Sequence, residues 1–209
     1  MKRVFVILCS LVASVASYAQ FNIDRMLTSG EIALHYEDYV LSIQYFNQII
    51  SLRPSVYKAW QLRGAAKYYL EDFSGAEDDA TQAINLNPYI EQIYDLRAIS
   101  RIRQQKYEGA IEDYTAAIRI NPNQRNYWFN RAICEMNIKN FDKALLQTDT
   151  INQRWSNFAN GYSLKAEIYL EKKDTLEAAR WIDKSLTNYG ILLAKLAGIL
   201  DKIDLPQAR

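Results

Sequence analysis

Four cations stand at one interval in this chain: Arg63, Arg97, Arg131 and Lys165 follow one another every 34 residues. Sixteen residues after Arg63 lies Asp79, and sixteen after Arg97 lies Asp113. In a helix hairpin that offset sets two side chains face to face, where a guanidinium can clamp a carboxylate through paired hydrogen bonds. The expected role of such pairs is to bridge the two helices of one hairpin. Arg131 departs from the rule, because Gln147 fills its sixteenth place. Its charge is expected either to seek another carboxylate, such as Asp113, or to be available to a ligand.

Catalytic sets are hard to assemble from the rest. His35 is the one histidine, and it stands about a hundred residues from Cys134. Neither a Ser-His-Asp set nor a metal-ligand spacing can be built from them, and no glycine-rich phosphate loop is present. The acidic neighbours Glu37-Asp38, Asp78-Asp79 and Glu112-Asp113 point about 100° apart when helical and form a solvated face. The expectation is a protein that is not an enzyme, with no cofactor and no metal.

The elements that space the cations are marked by Pro54, Pro88 and Pro122, again 34 residues apart. Aligned on them, the chain falls into five units, 23–56, 57–90, 91–124, 125–158 and 159–192, without an insertion. Each carries a large residue (Met26, Trp60, Tyr94, Trp128, Tyr162) and, four later, a small one (Gly30, Gly64, Ala98, Ala132, Ala166). A bulky knob followed by a notch lets a second helix approach closely. A further set of small residues, Ser42, Ala76, Ala110, Ala144 and Ala178, serves the same contact from the other side. Proline lacks the amide that helix continuation needs, so each one closes its unit. The hairpin turns are expected near 37, 71, 105, 139 and 172, and Ser156 and Gly190 stand where the last two units lack proline.

These residues resemble the tetratricopeptide repeat over nearly the whole chain after its N-terminus, most closely in the second and third units. The departures are Arg63, Arg97, Arg131 and Lys165, where leucine is usual, and Lys67, Arg101 and Glu135, where tyrosine is usual. The resemblance implies an all-α, right-handed α-solenoid of five helix hairpins whose inner surface, lined by each first helix, holds a protein or peptide partner. Carried over to this chain, Tyr68, Tyr69, Arg103, Phe129, Met136 and Asn137 are the expected partner-binding residues, with Arg131 added from the ladder. Large aromatics there anchor partners. The lysine and asparagine cluster with which some members hold a terminal carboxylate is not matched, since Leu62, Ala65 and Ile99 stand at those places. Beyond Gly190, Leu192, Leu196, Ile199, Leu200 and Ile203 recur at helical spacing. This segment, 191–205, is read as a capping helix over the last repeat, with a dimerising or membrane-lying helix as the alternative and 206–209 as a tail.

The N-terminus runs Met1-Lys2-Arg3, then apolar from Val4 to Val15, then small residues to Ala19 before Gln20. That is the pattern of a secretory signal peptide over residues 1–19. Its removal leaves 23 basic against 24 acidic residues, a balance that gives no electrostatic reason for nucleic acid. Cys134 then remains alone, so no internal disulfide forms; inside an apolar helix it reads as a small core residue. The regular repeat argues for one domain. The combined expectation is a periplasmic adaptor that takes part in assembly or secretion of envelope proteins, with no nucleic acid. The alternative is a structural subunit held by its repeat edges and C-terminal helix, and the third is a small-molecule binder or enzyme. Oligomeric state and membrane contact through a complex stay open.

Overall fold

The computed structural model describes residues 22–200. The expected signal peptide and tail lie outside them. Among the described residues there are ten helices and no strand: α1 (22–35), α2 (Tyr39–Leu52), α3 (Tyr57–Tyr69), α4 (Phe73–Leu86), α5 (Glu91–Arg103), α6 (Tyr107–Ile120), α7 (Arg125–Asn137), α8 (Phe141–Arg154), α9 (Ala159–Glu171) and α10 (Thr175–Leu200). The protein has an all-α repeat fold.

Its contacts gather into two compact units divided between Lys106 and Tyr107. The sequence reads as one uncut domain, because composition and register do not change at this point. Repeat arrays make only near-neighbour contacts, so they can divide at a turn without any linker to announce it.

In the first unit α2 packs on α3, α3 on α4, and α5 on both α3 and α4. One core joins Ile23, Phe46, Ile49 and Ala59; another joins Ala80, Ala83, Ile84, Ile93 and Leu96. Small residues set these approaches. A Cβ on Gly30 would fall 2.6 Å from Cε1 of the fully buried Phe46 ring. On Gly64 it would meet Asp79 Cβ at 3.2 Å and the Ala76 carbonyl oxygen at 3.3 Å, so the helices of this hairpin touch nearly backbone to backbone. In the second unit α7 packs on α6 and α8, and α9 on α8, α10 and α7. Ala132, Ala144, Leu164 and Ile168 form its core, with Phe129, Ile133 and Met136 against it.

Each hairpin turns in the same way. Glu37, Glu71, Gln105, Lys139 and Lys173 all have positive φ, between 60° and 64°. At the first turn the Glu37 amide donates to the Leu34 carbonyl (3.1 Å) and the Asp38 amide to the Ala33 carbonyl (2.9 Å). This pair of bonds closes the ends of a helix whose next residue is left-handed. The same two bonds recur at 71, 105, 139 and 173. Glycine is the usual occupant of such a place, yet none of these five residues is glycine. Asp38, Asp72 and Asp174 follow directly and accept from the amides of Leu41, Gly75 and Glu177, capping the returning helix.

Pro54 and Pro88 each follow the last capping residue of a second helix, Arg53 and Asn87. The fourth unit ends its helix without proline: the Trp155 amide caps back to Ile151 at 2.8 Å, and α8 keeps the 14-residue length of α2, α4 and α6. In the fifth the expected break does not occur. Gly190 alone lacks the steric and hydrogen-bonding penalty of proline, and α10 runs on as one helix of 26 residues. The expected separate cap is therefore, as far as Leu200, a continuation of α10; residues 201–205 lie outside the described residues.

Candidate binding surface

The cation ladder is scaffolding. Arg63 donates to both carboxylate oxygens of Asp79 (2.8 and 2.6 Å), and Asp79 is only 2% exposed. Lys67 adds a third contact to Asp79 at 2.9 Å. Arg63 also reaches back to the side chain of Asn47, sixteen residues earlier, at 2.6 Å. Arg97 reaches back the same distance to Thr81 (3.3 Å), Arg131 to Thr115 (3.1 Å), and Lys165 to Asp149. Each rung thus ties its own helix to the second helix of the preceding hairpin. The guanidinium groups of Arg63, Arg97 and Arg131 lie over Trp60, Tyr94 and Trp128 at 4.8, 5.9 and 5.1 Å. Those rings are pinned in turn. Trp60 and Trp128 donate to the carbonyls of Pro54 (2.8 Å) and Pro122 (3.0 Å), and the Tyr94 hydroxyl to that of Pro88 (3.2 Å).

Arg131 is accordingly engaged. Gln147 Oε1 accepts from it at 2.8 Å, so a neutral amide fills the place of the carboxylate. Burial lowers the pKa of this guanidinium, and the nearby Glu135 charge opposes the shift. Its hydrogen bonds are those of a rung, made to the neutral side chains of Gln147 and Thr115.

Tyr68, Tyr69 and Arg103 converge in the first unit. Tyr69, 60% exposed at the end of α3, stacks on Tyr39 at the start of α2, with centroids 5.1 Å apart and rings 12° from parallel. Tyr68 meets Tyr69 edge-on at 5.9 Å and Phe73 at 5.5 Å. The Arg103 guanidinium lies over Phe73 at 4.5 Å and 3.8 Å from the Glu71 carboxylate. Close by in the first turn stands Tyr36, 77% exposed and edge-on to His35. Partial burial, the Glu37 charge and Tyr69 together raise the pKa of the Tyr39 phenol. The result is an aromatic ledge along the turns of the first two hairpins. Turn geometry explains it, since the residue two beyond each of the first four left-handed positions is Tyr39, Phe73, Tyr107 or Phe141, with Thr175 at the fifth. That series was readable in the sequence, although the sequence reading passed over Tyr36, Tyr39 and Phe73.

The remaining expected residues lie in the second unit. Phe129 and Met136 are half-buried against its core, and Phe129 meets Phe158 edge-on at 5.5 Å. Asn137 is exposed and donates to the Ile133 carbonyl of its own helix at 2.8 Å. Beside α9 and α10 an open concavity of about 240 Å³ is lined by Ser163, Glu167, Leu170, Ile182, Ser185 and Leu186. Cys134 is fully buried, and burial together with the Glu135 charge pushes its thiol up to about 12. Among the described residues no group of three His, Cys, Asp or Glu could hold a metal ion, and no helix is long and apolar enough to cross a membrane.

Residues 96–149 match the tetratricopeptide repeat family model. That stretch of the chain carries tetratricopeptide-repeat sequence. No curated protein matches the chain, but solved tetratricopeptide folds do. The crystal structure of YrrB, described as a repeat protein with an unusual peptide-binding site, superposes with a TM-score of 0.71 at 15% identity over 78% of this chain and 84% of YrrB. A crystal structure of the MamA protein gives 0.75 at 14% identity over 90% and 98% of the two chains. MamA from Desulfovibrio magneticus RS-1 gives 0.75 at 11% identity, covering 80% and 94%. At these identities the likeness is one of fold. Within the tetratricopeptide pattern, the ladder cations at the usual leucine position are where this chain departs most regularly.

Proposed function

We propose that this tetratricopeptide array is an adaptor that holds a protein or peptide partner, and that it works in the bacterial periplasm during assembly or secretion of envelope proteins. The observation that carries the reading is the ledge of the first unit, where Tyr36 and Tyr69 remain 77% and 60% exposed. Accessible aromatic rings held by their neighbours are typical anchors for a partner. The peptide-binding site named for YrrB, a protein of the same fold, supports it. The basic and apolar pattern of residues 1–19 supports export.

The test is cross-linking of the full chain in its native envelope, with captured proteins identified by mass spectrometry. Baits carrying Tyr68→Ala with Tyr69→Ala are expected to lose a partner that the parent captures, at unchanged helicity. A mature form beginning at Gln20 in the periplasmic fraction is expected; a chain that keeps Met1 in the cytoplasm would overturn the location. The structural-subunit reading has its own support in the exposed Leu170, Ile182 and Leu186 beside α9 and α10. Partners that persist in every bait would favour it.

A further inference from the structure

The ledge contains the same three-residue arrangement twice, once complete and once with a ring in place of the cation. At the second turn the left-handed Glu71, the aromatic Phe73 two residues on and Arg103 form a set in which the guanidinium lies over the ring at 4.5 Å and 3.8 Å from the carboxylate. Moved back by one repeat, the same three places hold Glu37, Tyr39 and Tyr69. There the position of the arginine is taken by a second ring, stacked on the first at 5.1 Å. Glu37 is exposed and left-handed like Glu71, and Tyr69 keeps 60% of its surface open.

We infer that the Glu37–Tyr39–Tyr69 set receives an arginine side chain from a protein partner on the open surface of Tyr69, the ring that stands where Arg103 stands in the next set along. This rests on the adaptor reading and names the chemistry of its partner. A guanidinium is attracted to the electron-rich face of a tyrosine and to a carboxylate at the same time. Charge complementarity favours it over a neutral anchor. Glu37, Asp38, Glu71 and Asp72 all lie on these two turns, and Arg103 is already drawn to Glu71. An acidic or phosphorylated segment would be repelled there. Of the four carboxylates, Asp38 and Asp72 are committed to helix capping, which leaves Glu37 to meet the incoming cation.

The probe is a fluorescein-labelled glycine–serine decapeptide with two arginines, compared by anisotropy on the full chain with the same peptide carrying citrulline. Citrulline keeps the shape and removes the charge. The arginine peptide is expected to bind at least about tenfold more tightly, with a salt dependence that the citrulline peptide lacks. Glu37→Gln, a surface change that leaves packing alone, is expected to weaken binding about fivefold. Tyr69→Arg, which copies the Arg103 arrangement and fills the site from within, is expected to abolish the preference. Circular dichroism checks that both variants keep their helix content. Equal binding of the two peptides, or a preference that survives Tyr69→Arg, overturns the inference. If the tyrosine-variant baits still lose their native partner in that case, the adaptor reading stands without it. Concentration-dependent self-association that Tyr69→Arg removes would assign the arginine to a second copy, and would overturn the partner proposed here.

Discussion

Glu77 shows how one side chain can hold several others. Its carboxylate accepts from Arg101 (2.8 Å), Lys106 (2.8 Å) and Gln104 (3.0 Å), so α4 is tied to the end of α5. Burial works against its ionisation, but the hydrogen bonds from Lys106, Arg101 and Gln104 outweigh it and hold the pKa at about 2, against 4.5 for a free side chain. A carboxylate that ionises more easily when folded stabilises the fold above the unfolded value. That gain is full above pH 4.5 and fades as the pH falls through about 2. Glu77→Gln should therefore cost about 2 kcal/mol near neutrality and much less at pH 2, measured by urea unfolding at both pH values. Cys134 gives the opposite case, a group kept neutral. With no exposed surface and a thiol pushed up to about 12, it should resist alkylation by iodoacetamide at pH 8 until denaturant is added.

At the scale of the element, the left-handed turn is the costly feature. A side chain at positive φ is strained by roughly 1 kcal/mol relative to glycine. Lys139→Gly should raise stability by about 0.5 kcal/mol or more, because relief of that strain outweighs the added freedom of the unfolded chain. The Lys139 side chain is exposed, so little contact is lost. The helix-to-helix notch acts in the other direction. A methyl group on Gly30 would press on the Phe46 ring, which has no exposed surface into which it can move. Gly30→Ala should destabilise by about 1–3 kcal/mol, seen as a shift of the unfolding midpoint at constant slope.

For the whole molecule, two compact units, each with its own core, predict local consequences. Gly30→Ala should lower amide-exchange protection in α1–α3 more than in α7–α9; an equal loss everywhere would mean one cooperative block. The sequence carried the repeat well. Its knobs, notches and prolines obey backbone rules that act over a few residues, and they led to an all-α tetratricopeptide fold. Local signals served less well where the outcome depended on contact. Ser156 and Gly190 look alike as missing prolines, yet α8 stops by capping and α10 continues. Arg131 lacks the carboxylate that Arg63 has in Asp79, and Gln147, Thr115 and Trp128, none of them legible as its partners from one repeat alone, hold it instead. The stacking of Tyr39 has no local signal, because its partner ring is thirty residues away. Glu37, Glu71, Gln105, Lys139 and Lys173 already tolerate a side chain in an unfavourable conformation, and all point into solvent. With Cys134 sealed inside α7, a cysteine introduced at any of them in a chain without Cys9 would take a dye or spin label alone. The five turns are thus a built-in set of graduation marks, one per repeat, from which the dimensions of the molecule in solution can be read.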